Sequence, residues 1–185
     1  PEDICPNIDG VQEEVPEGYH LEDSECVEDE VPLPAIDHIV ISEVYYDTDT
    51  EHGSDPSNEW VEIYNNGSEA VNISGWKLFE NSTNHKLVVI SEEEVGPGEY
   101  AVIVDSESKF KSDWPGFSGN LFKSSFSLAN SGETIVIRDS DLNDVDTVSY
   151  VPEWGAKGDG NSLQLINGSW ESNTPTPGVA NLSGG

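Results

Sequence analysis

At 185 residues the chain has room for one domain of about 150 residues plus an appendage, enough to bury a sizeable core. Thirty-seven acidic residues against seven Lys and Arg give a net charge of -30. Such a field repels nucleic-acid phosphate and anionic membrane, whose recognition rests on Lys and Arg releasing counterions, so nucleic acid is not an expected partner. It favours divalent cations, basic partners or a saline environment instead. The longest hydrophobic run, Tyr100 to Val104, is far short of the roughly twenty residues that span a bilayer, so no membrane insertion is expected within the chain. The start at Pro1, without methionine or signal peptide, reads as a processed product or an excerpt of something longer.

Residues 1–32 hold twelve acids and no Lys or Arg. Both cysteines, Cys5 and Cys26, lie here among too few apolar side chains to build a core, which reads as one disulfide in an oxidising compartment. Closing that loop is worth roughly 3 kcal/mol of chain entropy. The rival reading is a two-cysteine zinc site completed by His20 and His38, although the spacing follows no zinc pattern. Val31-Pro32-Leu33-Pro34 suggests a stiff boundary. The expected division is an acidic disulfide-clasped segment with its Pro linker over 1–34, a β domain over 35–182, and a tail at 183–185.

From Ala35 on, short β-rich runs predict strands at Ile39 to Tyr46, Trp60 to Tyr64, Val71 to Phe79, Leu87 to Ile90, Tyr100 to Val104, Thr134 to Arg138, Thr147 to Val151 and Ser162 to Ile166. Glu59-Trp60-Val61-Glu62-Ile63-Tyr64 mixes acidic and hydrophobic residues and reads as a strand with one buried face. Asn65-Asn66-Gly67-Ser68 supplies a turn, and Gly75 allows a bend before Trp76. Val61, Ile63, Trp76 and Leu78 are the expected core. No segment sustains a helical period, so no long helix is expected, and the whole reads as an all-β antiparallel sandwich. The long connection from Asp105 to Lys123, with Phe110, Trp114, Phe117 and Phe122, is expected to fold over an open edge or end of it.

Several motifs in order resemble the lamin tail domain, the immunoglobulin-like module of nuclear lamins that also occurs in bacterial and archaeal surface or secreted proteins. Ile41-Ser42-Glu43-Val44 resembles its opening strand and Glu59 to Asn65 its second. Ile73-Ser74-Gly75-Trp76-Lys77-Leu78 is similar to its Ser-Gly-Trp strand, and Val95-Gly96-Pro97-Gly98-Glu99-Tyr100 to its Pro-Gly turn. Leu128-Ala129-Asn130-Ser131-Gly132-Glu133 and Thr176-Pro177-Gly178 complete the series. The resemblance spans about residues 36–182 and implies an immunoglobulin-like β-sandwich. Lamin tails are known to meet DNA, but this chain lacks the basic patch that such binding requires.

No catalytic arrangement stands out. His20, His38, His52 and His85 occupy unrelated contexts, without His-Glu-x-x-His or Gly-x-Ser-x-Gly, and a non-enzyme is expected. The sharper possibility is a calcium site. Glu43, Asp47, Asp49, Glu51, Asp55, Glu59 and Glu62 crowd the first strand, the loop after it and the second strand. If those strands pair, Glu43 could approach Glu59 or Glu62 beneath the Asp47–Asp55 loop, giving hard oxygen ligands for Ca2+. The plainer alternative is a solvated acidic loop with Glu59 and Glu62 on a wet face.

Asp139-Ser140-Asp141-Leu142-Asn143-Asp144 imitates the start of an EF-hand loop but lacks its sixth-position glycine and closing glutamate, and reads as a turn. Five Asn-x-Ser/Thr sequons begin at Asn66, Asn72, Asn81, Asn167 and Asn181. Trp60 and Tyr64 could stack on surface glycans, bind a neighbouring protein or pack beneath the 105–123 loop. The expected function is a non-catalytic, secreted or cell-surface binding or structural module, calcium-stabilised, joining other proteins or copies of itself. A repeating subunit of an extracellular filament or surface layer, and an accessory domain of a secreted hydrolase, are the alternatives.

Overall fold

The computed structural model describes residues 4–6, 11, 14–16, 19–22, 25–28 and 39–181. Chain contacts divide the protein into two compact units, Pro1–Ile36 and Asp37–Gly185. In the first, β1 (Tyr19–Glu22) and β2 (Glu25–Glu28) pair as an antiparallel hairpin. Cys5 and Cys26 are joined in a disulfide, both buried. The segment expected to be irregular therefore contains a tied hairpin. The paired sulfurs also remove the two-cysteine zinc site, of which His38 lies outside the described residues.

The second unit is a sandwich. Its larger sheet runs in the order β15 (Ser169–Asn173), β14 (Ser162–Ile166), β3 (Ile39–Tyr45), β4 (Trp60–Asn65), β10 (Tyr100–Val104), β11 (Asn120–Lys123), β8 (Val88–Val89). The smaller runs β13 (Asp144–Tyr150), β12 (Glu133–Arg138), β6 (Lys77–Glu80), β7 (Thr83–Lys86). Two short strands, β5 (Val71–Asn72) and β9 (Glu94–Val95), pair with each other. Among the described pairings only β10 with β11 is parallel. The crossover between them contains α1 (Glu107–Asp113), as a parallel connection requires more chain than a hairpin.

Alternate residues of both sheets meet in one core. Val61 and Ile63 of β4, Leu78 of β6 and Ile135 and Ile137 of β12 are all fully buried there, with Trp76 only 3% exposed. The strand predicted over Val71 to Phe79 is in fact two, β5 and β6, in different sheets. Between them Gly75 adopts φ +83, a left-handed conformation that costs glycine little, and the turned chain delivers Trp76 inward.

The larger sheet is also covered on its outer face. Tyr45, Trp60, Val102, Val104, Phe110 and Leu121 form a second buried cluster, with Trp114 and Phe117 packed against it. Trp60 is fully buried, stacked on Tyr45 at 5.6 Å and edge-on to Phe110 and Trp114 at 6.1 Å each. The single wet face expected for β4 is thus absent: the strand separates two dry interfaces. The 105–123 connection covers a sheet face as a short helix and a strand, and sends Phe122 through to the inner core.

Candidate functional site

The site begins with a bulge. Cross-strand partners run Ile39↔Asn65, Val40↔Tyr64 and Ile41↔Ile63, then skip to Glu43↔Glu62, leaving Ser42 as the extra residue. A bulge breaks the strict in-out alternation, so that Ser42 and Glu43 both reach Glu62's side of the sheet. Both carboxylates are fully buried.

Glu43 Oε1 accepts hydrogen bonds from Ser162 Oγ, from Gln164 Nε2 at 3.2 Å and from the Thr176 amide at 3.0 Å. Its Oε2 accepts from Thr176 Oγ1 at 3.0 Å. Glu62 Oε1 accepts from Ser42 Oγ at 2.7 Å, and Oε2 from the Gly178 amide at 2.6 Å. Asn181 Nδ2 closes the arrangement by donating to the Ser42 and Leu165 carbonyls at 2.7 and 3.1 Å. The two glutamates therefore hold a C-terminal strap, residues 174–181, against the outer face of the sheet.

Burial governs their acidity. Desolvation, reinforced by the negative charge of Glu43, pushes Glu62 up to about 8, against the Gly178 and Ser42 hydrogen bonds. Burial also raises Glu43, opposed by its bonds from Ser162, Thr176 and Gln164. Adjacent buried carboxyls resist double ionisation, so Glu62 retains a proton near neutral pH. Every oxygen of the pair faces N–H or O–H donors, which is a donor set for carboxyl groups and not the oxygen-rich shell of a calcium ion.

The residues expected to share a calcium site are dispersed. Glu59 lies at the inner end of β4, where Oε2 accepts from the Leu128 amide at 2.8 Å and Oε1 is buried without a protein hydrogen-bond partner. Burial, and the charges of Asp55, Glu133 and Asp105, push it up to about 8 against the Leu128 bond. Asp49 Oδ1 accepts from the Glu51 and His52 amides at 3.0 and 2.7 Å and meets His52 Nδ1 at 2.8 Å. Desolvation pulls Asp49 upward, but the His52 and Glu51 interactions together hold it below the usual carboxylate range. Asp55 ties Thr48 through Oδ1 and Asn130 through Oδ2. Asp47 is raised by burial and by Asp55 and Asp159, against Lys157.

Glu43 and Glu62 meet, then, whereas Glu59 stands apart from them and from Asp49. Among the described residues no group of three or more His, Cys, Asp or Glu side chains is arranged to hold a metal ion. In the 139–144 segment, Asp139 Oδ1 caps its own turn by accepting from the Asp141 and Asn143 amides at 2.9 and 2.8 Å, so these residues form the β12–β13 hairpin turn. Sequence alone does not pair Ser42, Ser162, Gln164 or Thr176 with the carboxylates. The one sequence signal for them was a pair of consecutive polar residues, Ser42-Glu43, inside an otherwise apolar strand.

A family model described as Lamin Tail Domain matches residues 32–152, well over half of the chain. No curated protein matches it. The match stops before β14, β15 and the strap that complete the carboxylate site.

Proposed function

This chain belongs to the lamin tail domain family, a non-enzymatic, immunoglobulin-like family of protein-interaction modules, and from that premise we propose that it is a secreted or cell-surface module that assembles with copies of itself in the presence of calcium. The observation behind this reading is an open apolar edge on a strongly anionic molecule. Edge strand β8 exposes Val88 (52%) and Val89 (37%), and among the described residues its only sheet neighbour is β11. An open edge of this kind invites pairing with another chain. Glu92, Glu93 and Glu94 follow close by, and the whole chain carries -30, so two copies repel until a cation neutralises them.

The proposed ion acts at the acidic surface, including Asp47, Asp55 and Asp159; burial first, and then the charges of Asp55 and Asp159, raise Asp47. Glu43 and Glu59 serve the fold instead. The Cys5–Cys26 bridge supports an oxidising, extracellular location. A catalytic role has no support in the carboxyl groups of raised pKa on β3 and β4, since Glu43, Glu59 and Glu62 are all buried from any substrate. Electron micrographs of the purified protein in millimolar calcium chloride test the proposal: extended or closed assemblies that disperse on adding EGTA are expected. Monodisperse particles in both conditions overturn it.

A further inference from the structure

Val40, Tyr64 and Tyr100 occupy adjacent register positions across β3, β4 and β10. The two tyrosine rings stack at 4.5 Å with 28° between planes, half-buried on the outer face of the larger sheet. Beside them is a cavity of about 290 Å3 whose walls include Ser42, Leu165, Asn167 and Asn181. None of the described residues that line it is charged. In a chain with thirty-seven acids that neutrality is selective: it offers no carboxylate to a metal ion and no counter-charge to an anion.

The strap forms one rim through Ala180, and a second cavity of about 590 Å3 opens on its other side. The two share Tyr100 and Ala180, and the second adds Glu92, Glu99 and Asn120. The ring face that Tyr64 and Tyr100 each keep clear of the other, the Asn167 amide beside them, and acceptor carboxylates further along suit a ligand with an apolar face and many hydroxyl groups. We propose that the Tyr64–Tyr100 cavity binds one neutral pyranose residue of a glycan, with the chain of sugars continuing past Ala180 towards Glu92 and Glu99. The volume accommodates a single ring, and the two glutamates discriminate against uronic or sialic acids by charge. This differs from the sequence expectation that placed Trp60 at a sugar platform, because Trp60 is covered by α1. It does not rest on calcium-dependent assembly, and neither reading depends on the other.

Saturation-transfer NMR on protein produced without glycosylation tests the proposal, using the methyl glycosides of glucose, galactose, mannose and N-acetylglucosamine, with N-acetylneuraminic acid as the anionic probe. At least one neutral glycoside is expected to bind, with Kd on the order of millimolar. Tyr100→Ala should weaken it at least roughly tenfold. Ala180→Phe, at an exposed position, should block the cavity without removing a core contact, so it separates loss of the site from loss of the fold. Trp154→Ala, which alters the separate Trp154–Trp170 pair, should bind as the parent does. The proposal is overturned if no neutral glycoside binds, if binding survives both cavity variants, if only the sialic acid binds, or if Trp154→Ala abolishes the signal. A proline-rich peptide that shifts the Tyr64 and Tyr100 resonances where no glycoside does would overturn it equally.

Discussion

Glu62 is a charged residue type kept in a dry place, and its protonation follows from that. An unfolded glutamate titrates near 4.5, whereas folded Glu62 and Glu59 are each pushed up to about 8. Between those values the folded chain holds protons that the unfolded chain has released, so raising the pH favours unfolding. Their contribution is complete below about 4.5 and is lost as pH climbs through 8. The melting temperature should therefore fall by at least roughly 5 °C between pH 5.5 and pH 9. Glu62→Gln keeps the shape, can still accept from the Gly178 amide, and should make that slope shallower, with the share of Glu59 remaining. A variant as pH-sensitive as the parent would show that Glu62 ionises normally. The effect runs opposite to that of salt-bridged surface carboxylates, whose stabilisation is lost in acid.

At the scale of elements, the strap and α1 turn the outer face of the larger sheet into a second interior. Thr176→Val removes the hydroxyl that donates to Glu43 Oε2 and accepts from Gln164 Nε2, while keeping the volume. Leaving a buried acceptor unpaired should cost about 1–3 kcal/mol in urea unfolding, with faster hydrogen exchange at the Gly178 amide. An unchanged exchange rate would mean the strap is held elsewhere. Phe110→Ala opens the cluster under α1 and should cost about 3–5 kcal/mol.

These elements also mark what the sequence disclosed. Strands with strong patterns lie where those patterns predict: the continuous apolar run Tyr100–Val104 (β10) and the alternating Ser162–Ile166 (β14) match residue for residue. The polar β7 (Thr-Asn-His-Lys) and β15 (Ser-Trp-Glu-Ser-Asn) have no such pattern; they are strands because β6 and β14 offer them paired edges. The bulge at Ser42 explains why Glu43 met Glu62 and not Glu59. Period-two reasoning assigns faces correctly only while the period is unbroken, and one inserted residue reverses every later assignment. Burial of the outer face of β4, with Trp60 and Glu62, has no local signal for a different reason: its cover comes from residues 107–117 and 174–181, distant in sequence.

For the whole molecule, the balance is between an apolar edge and a large like charge. With seven bases to thirty-seven acids, the proposed contact between copies would depend on what neutralises the carboxylates, and ionic strength alone should substitute only weakly for a divalent ion. A saline-adapted surface would instead respond to sodium chloride and calcium alike at matched ionic strength. Melting curves in EGTA and in calcium chloride distinguish the two, and Asp47→Asn with Asp55→Asn should reduce any calcium-dependent gain.

Sedimentation velocity across a concentration series, in calcium chloride and in EGTA at equal ionic strength, addresses assembly most directly. The account predicts a single slow species in EGTA, faster-sedimenting species that grow with concentration in calcium, and their loss in Val88→Asp, which places a charge on the β8 edge. Identical monomer boundaries at every concentration with and without calcium would contradict it, as would assembly undiminished by Val88→Asp.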